Sequence, residues 1–225
     1  MISGTRKVLC AVMNPRRLLL LALSSLPVIV AAATPDAPDV TALISRLAKP
    51  APATIDFTEV RFSRLLKQPL IVSGTLGYAG PDILDRQVVT PYRETTQIRG
   101  TAVRVQRDGE PERSFALKRA PELQGLLSAF TALLAGDASA VERNFSIDAG
   151  GTEESWRITL APRDARLARR VEQIVIDGHN DQPRCFWIHN GNDGASAMLL
   201  GLTSHLELPQ PLTREWLERR CRLPT

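Results

Sequence analysis

From Ile55 to Leu117 the chain alternates apolar and polar residues in short runs broken by Gly, Pro and Asp, with no apolar period of helix length. That pattern predicts consecutive, mostly antiparallel strands. In PLIVSGTLGY, Leu70, Val72, Gly74, Leu76 and Tyr78 share one parity, and Ile71, Ser73, Thr75 and Gly77 share the other. One face is apolar and the other mostly polar. Earlier, Ile55 and Phe57 take one parity while Val60 and Phe62 take the opposite one. Either this strand is covered on both sides, or a bulge near Thr58 and Glu59 resets its phase. Tyr92, Ile98, Val103 and Val105 continue the inward set, followed by Phe115 and Leu117.

An antiparallel sheet of this length needs a cover for its apolar face. The segment Pro121 to Asp137 supplies one: Leu123, Leu126, Leu127, Phe130, Leu133 and Leu134 recur at three and four residues. Pro121 suits the first turn of a helix and Gly136 its end. Gly125 is the internal objection, at roughly 1 kcal/mol relative to Ala.

The remaining chain extends this plan. VTALISRLAKP predicts a short amphipathic helix with Leu43, Ile44 and Leu47 inward, and a brief strand is expected near Arg86 to Val89. Asp137 opens one helical turn before a strand over Asn144 to Asp148, and ESWRITLAP places Trp156, Ile158 and Leu160 on one parity. The β-branched residues Val171 to Ile176, followed by Asp177 and Gly178, predict a strand and a tight turn, then a strand through Cys185 to Ile188. A short strand over Ser196 to Leu202 and a C-terminal helix capped by Thr213, with Trp216 and Leu217 inward, complete the series.

The formal net charge of +4 resides in the first 33 residues, where Arg6, Lys7, Arg16 and Arg17 face no acidic residue. Without them 24 Lys and Arg balance 24 Asp and Glu, which removes the electrostatic case for nucleic acid. NPRRLLLLALSSLPVIVAAA has a basic head, an apolar run and a small-residue end at Ala31 and Ala33. It reads as an export signal cleaved after Ala33, with residues 34–225 as one domain; Met13 begins an equally complete basic head. Cys10 precedes the apolar run and is no lipidation site. Cys185 and Cys221, in an exported chain, read as a disulfide, since no His lies at zinc-ligand spacing from either.

No phosphate loop, nucleophile elbow, H-E-x-x-H or Cys-x-x-Cys motif is present. Asp56, Glu59, Glu153 and Glu154 read as solvated carboxylates or surface pairs, and His179, His189 and His205 have no partner assigned by spacing. The sequence therefore predicts no catalytic residue, metal or cofactor. A curved sheet closed by a leucine-rich helix can enclose an apolar cavity suited to acyl chains, although the same residues can equally fill a solid core. The candidate cavity or lid residues are Phe57, Leu70, Val72, Leu76, Tyr78, Val103, Phe115, Leu123, Leu126, Leu127, Phe130, Leu134, Trp156 and Ile158.

The order of elements also resembles a known family. F-x-E-x-R (Phe57, Glu59, Arg61), PLIVSGTLGY, P-x-x-L-x-R-x-V-x-x-P (Pro81, Leu84, Arg86, Val88, Pro91), I-x-G-x-x-V (Ile98, Gly100, Val103), the leucine-rich helix and the late I-x-I-D-G strand are similar to the LolA-like periplasmic outer-membrane lipoprotein carriers. The resemblance covers about Val40 to Gly201 and implies a mainly β fold with helices: an incomplete, strongly curved antiparallel β-barrel closed by a leucine-rich helical lid. It further implies a monomeric, non-enzymatic periplasmic carrier without cofactor. Its cargo would be a lipoprotein or another amphiphilic lipid, passed from an inner-membrane exporter to an outer-membrane receptor. Gly80, Pro81 and Asp82 depart from the basic and Trp-containing pattern of the carrier proper. In this the chain is more similar to LolA-like proteins that accompany aryl-polyene and acyltransferase gene sets. Two rival readings share these residues: a periplasmic adaptor with a filled interior, and an ester hydrolase using Ser196 or Ser204 with His189 or His205.

Overall fold

The computed structural model describes residues 39–191 and 194–223, with the side chains of residues 121–123 and 126 excepted. The expected export signal over residues 1–33, with Cys10, lies outside the described residues. Eleven strands form one antiparallel sheet: β1 (Ala53–Phe62), β2 (Leu70–Gly80), β3 (Ile83–Thr90), β4 (Glu94–Arg99), β5 (Ala102–Arg107), β6 (Arg113–Ala116), β7 (Phe145–Gly151), β8 (Ser155–Pro162), β9 (Val171–His179), β10 (Gln182–Asn190) and β11 (Gly194–Leu200). Their spatial order is β6-β5-β4-β3-β2-β1-β11-β10-β9-β8-β7. The first and last halves of the chain thus meet where β1 pairs with β11, and the sheet stays open between β6 and β7.

Among the described residues the α-helices are α1 (Val40–Arg46), α2 (Pro121–Leu134), α3 (Ala138–Asn144), α4 (Ala165–Ala168) and α5 (Arg214–Arg222). Asp39 caps α1 by accepting from the backbone N–H of Thr41 at 2.9 Å, and Leu43, Ile44 and Leu47 are buried. α2 ends at Gly136 in the left-handed region (φ +67°), where the Gly136 and Asp137 N–H groups donate to the Leu133 and Ala132 carbonyls. Both bonds belong to the Schellman ending. Gly125 proves useful: a Cβ there would lie 2.4 Å from Leu167 Cδ2 of α4, so its absence lets the two helices meet.

β1 resolves the question of its two parities. Its registers with β2 and β11 run without a shift, so there is no bulge, and the strand is covered on both sides. Phe57 packs inward with Val72, Leu76, Val88 and Leu200. Val60 packs outward with Trp187, Leu199 and Leu217 beneath α5. The inner face carries α2. Leu127 meets Ile98, Val103 and Leu117 on one side of the sheet, while Phe130 packs edge-on against Phe186 of β10 on the other. One helix touching strands so far apart in the strand order requires the sheet to wrap round it.

Several boundaries differ from expectation. β3 is a full strand, and α3 runs seven residues where one turn was expected. Asp177 and Gly178 do not form a turn: they lie inside β9, and the reversal falls at Asn180, with φ +52°. Gly178 is needed there because a Cβ would stand 2.0 Å from the Trp156 ring, and Asp177 is buried as the acceptor of Arg157 Nε at 2.7 Å. The local Asp-Gly signal was overridden by cross-strand packing.

Gly74 has a comparable role. It follows the register shift between β2 and β3, and a Cβ would fall 1.7 Å from the Gln87 carbonyl oxygen. At Gly77, on the same strand, the nearest atom would be 3.7 Å away. Gly74→Ala should therefore destabilise by roughly 1–3 kcal/mol, whereas Gly77→Ala should leave stability unchanged or slightly raised. Urea unfolding of both variants checks this, and equal midpoints would contradict it.

Candidate functional site: an amphipathic cavity beneath α2

Inward-facing residues of β2 to β6 form cross-strand rows. One row is Tyr78, Leu84, Ile98, Val103 and Phe115, all apolar. The next is Leu76, Arg86, Thr96 and Val105, and the third is Gly74, Val88, Glu94 and Arg107. Polarity thus rises toward the end of the sheet where β1 runs into its loop with β2.

Between these rows and α2 lies a cavity of about 260 Å³, lined by Glu59, Arg61, Leu76, Leu84, Arg86, Glu94, Thr96, Ile98, Val105, Leu127, Phe130, Phe186 and Met198. Eight of these thirteen side chains are apolar; Glu59, Arg61, Arg86 and Glu94 form one charged end, with Thr96 opposite Arg86 in the strand pairing. Glu59 is 6% exposed and accepts four hydrogen bonds: Arg61 Nε (2.7 Å) and Ser196 Oγ (2.6 Å) on Oε1, and Arg61 Nη2 (3.0 Å) and Arg86 Nη2 (2.6 Å) on Oε2. Arg86 lies over the Phe57 ring at 4.9 Å, and its Nη1 stands 3.6 Å from Glu94 Oε1. Glu94 Oε2 accepts from Arg107 Nε and Nη2, and Arg107 lies over Tyr92 at 4.4 Å. Burial alone would raise the Glu59 carboxyl, but hydrogen bonds and charge from Arg61, the charge of Arg86 and the Ser196 hydroxyl hold it below its ordinary value.

The expectation that Glu59 is solvated is corrected by this burial. The carboxylate shares the parity of Phe57, so it must face inward, and two guanidinium groups make that placement tolerable. Phe57-x-Glu59-x-Arg61 and Arg86, singled out above for resemblance alone, carried the signal: charged residues at inward parity.

Of the candidate cavity residues, Leu76, Leu127 and Phe130 line this space. Phe57, Leu70 and Val72 pack in the cluster beside it; Val103 and Phe115 pack with Leu127, and Tyr78 is buried. Trp156 and Ile158 sit elsewhere on the inner face, in a core filled by Leu43, Ile44, Ala129 and Phe145. Leu134 borders a small gap of about 20 Å³ within that half. The side chains of Leu123 and Leu126 lie outside the described residues. Parity alone did not identify Phe186 and Met198, which reach the cavity because β10 and β11 pair next to β1.

The serines considered for ester hydrolysis are engaged elsewhere. Ser196 donates to Glu59, Ser204 donates to the Gly201 carbonyl at 2.7 Å, and His205 Nε2 lies 3.4 Å from Asp56. On the outer face of the sheet, Cys185 and Cys221 form a disulfide with a Cα–Cα distance of 5.7 Å, tying α5 to β10. Among the described residues no helix is long and apolar enough to cross a membrane.

The site is thus an open antiparallel sheet wrapped round a helix, with a mostly apolar-walled cavity between them. Residues 32–204 match the sequence model of the family described as outer membrane lipoprotein carrier protein LolA-like, and the chain belongs to that family. Among solved structures it is similar to a LolA superfamily protein from Nitrosomonas europaea, at 8% identity over 78% of this chain and 96% of that one, with a TM-score of 0.41. No curated protein matches the chain. Family membership associates the chain with carriers of lipid or lipoprotein rather than with enzymes.

Proposed function

We propose that this protein is a non-enzymatic periplasmic carrier that shields an acyl chain of a lipoprotein or another amphiphilic lipid on its way toward the outer membrane. In this reading residues 34–225 act as one monomeric domain after removal of the export signal, taking cargo from an inner-membrane exporter and giving it to an outer-membrane receptor. The observation that carries it is the cavity beneath α2, most of whose wall is apolar, in a chain of the LolA-like family. Each methylene withdrawn from water is worth about 0.8 kcal/mol, so an enclosed chain is held by burial alone, without covalent chemistry. At about 260 Å³ the space is smaller than the roughly 300–1,000 Å³ of typical ligand pockets. A cargo with several chains would need α2 to move off Ile98, Val103 and Leu117.

Native mass spectrometry of protein purified from its own periplasm without detergent should find a copurified lipid. Val105, half-buried on the cavity wall, provides the matching variant. Val105→Trp should fill the space and reduce uptake of an acyl probe by about tenfold or more, with stability within roughly 1–3 kcal/mol of the parent. Unchanged uptake by a folded Val105→Trp protein would place the binding site elsewhere.

A further inference from the structure

The charged end of the cavity is more than an acyl-chain site requires, because a chain alone would be served best by an apolar wall throughout. Its hydrogen-bonding capacity is also unequal. Both oxygens of Glu59 already accept two bonds each. Glu94 is held between two guanidinium groups, with Oε2 accepting from Arg107 and Oε1 facing Arg86. Donors remain: Arg86 makes its hydrogen bond through Nη2, and its Nη1, at 3.6 Å from Glu94, is beyond hydrogen-bond reach. Arg61 uses Nε and Nη2 and has Nη1 to spare. Arg107, the third cation, is shared between Glu94 and Glu110, whose Oε1 lies 3.5 Å from its Nη1, so the charges balance and the asymmetry lies in the open N–H donors of Arg86 and Arg61.

Resting on the carrier reading, we propose that the cargo is a single-chain amphiphile with an anionic head, a carboxylate or a phosphate, whose oxygens are received by Arg86 and Arg61 while its chain lies against Leu76, Ile98, Leu127 and Phe130. The cavity volume suits one chain, and the charged and apolar walls are continuous, so one ligand can span both. A cationic head would have to displace guanidinium groups from Glu59 or Glu94. A neutral alcohol offers one weak acceptor, whereas an anion brings several charged acceptors to a site whose open groups are guanidinium donors.

Isothermal titration of the delipidated mature protein at neutral pH, with dodecanoate, dodecyl phosphate, dodecanol and dodecylammonium below their micellar limits, tests this. At least one anionic probe should bind about tenfold or more tightly than the alcohol, with the ammonium weakest. Whichever anion binds more tightly identifies the head. Arg86→Gln should lower anion affinity far more than alcohol affinity, removing most of that preference. Should that variant fail to fold, Arg61→Gln, at a side chain 44% exposed, should still lower anion affinity by about threefold or more. Equal binding of alcohol and anions, or a preference for the ammonium, would overturn the head-group assignment and leave the carrier reading standing. No uptake of any of the four chains would overturn both.

Discussion

Replacing Glu59 with alanine should destabilise the protein by about 3–5 kcal/mol, the range for removing one partner of a buried ion pair. The cost arises mainly at Arg86, whose side chain is 16% exposed and would keep only the distant Glu94 as counter-charge. Arg61 can turn toward water and should contribute less. The same carboxylate should make stability depend on pH. Its folded-state pKa is depressed, so the unfolded chain binds the proton more readily. Its contribution is therefore fully present above the ordinary value of 4.5 and is lost as pH falls through the lower folded value. Urea titrations at pH 7 and at steps below pH 4.5 should show the parent losing stability more steeply than Glu59→Gln. A parent-like midpoint for Glu59→Ala at pH 7, or parallel acid profiles, would contradict this account.

Reduction of the Cys185–Cys221 bond should cost a similar amount. The cysteines are separated by 36 residues, and the chain-entropy relation for a loop of that size predicts about 4 kcal/mol at 25 °C. The bond holds α5 over Val175, Trp187, Ala197 and Leu199, with Leu217 fully buried between them. Reduction under native conditions should loosen that helix before the sheet itself opens, because the inner core of α1, α2 and α3 makes no use of α5. Unfolding curves with and without reductant measure the first effect, and hydrogen exchange over Arg214–Arg222 measures the second. Oxidised and reduced midpoints that coincide, with unchanged exchange in α5, would show that the packing of Leu217 holds the helix unaided.

Much of the architecture is local in origin and was therefore legible in the residues. Alternation along Leu70–Tyr78 is a property of neighbours two apart, and the leucine spacing of α2 is a property of neighbours three and four apart. The Gly136 ending and the Thr213 cap likewise need only a few consecutive residues. Parity even announced that β1 has two buried faces or a bulge. Choosing between them required knowing that β11 and α5 meet that strand, which no local pattern contains.

The tertiary structure alone decided the character of the site. Glu59 reads as a surface carboxylate until Arg86, 27 residues away, and Ser196, 137 residues away, arrive on the same inner face. It also decided which part of that face is hollow. Trp156 and Ile158 have the same alternation as Leu76 and Tyr78, yet α1 and α3 help fill the space over them, while among the described residues α2 is the helix that spans the rows from Leu76 to Val105. Local pattern sets which way a side chain points. What it meets there depends on strand order and helix placement, which bring together residues too far apart in the chain for any periodicity to relate them.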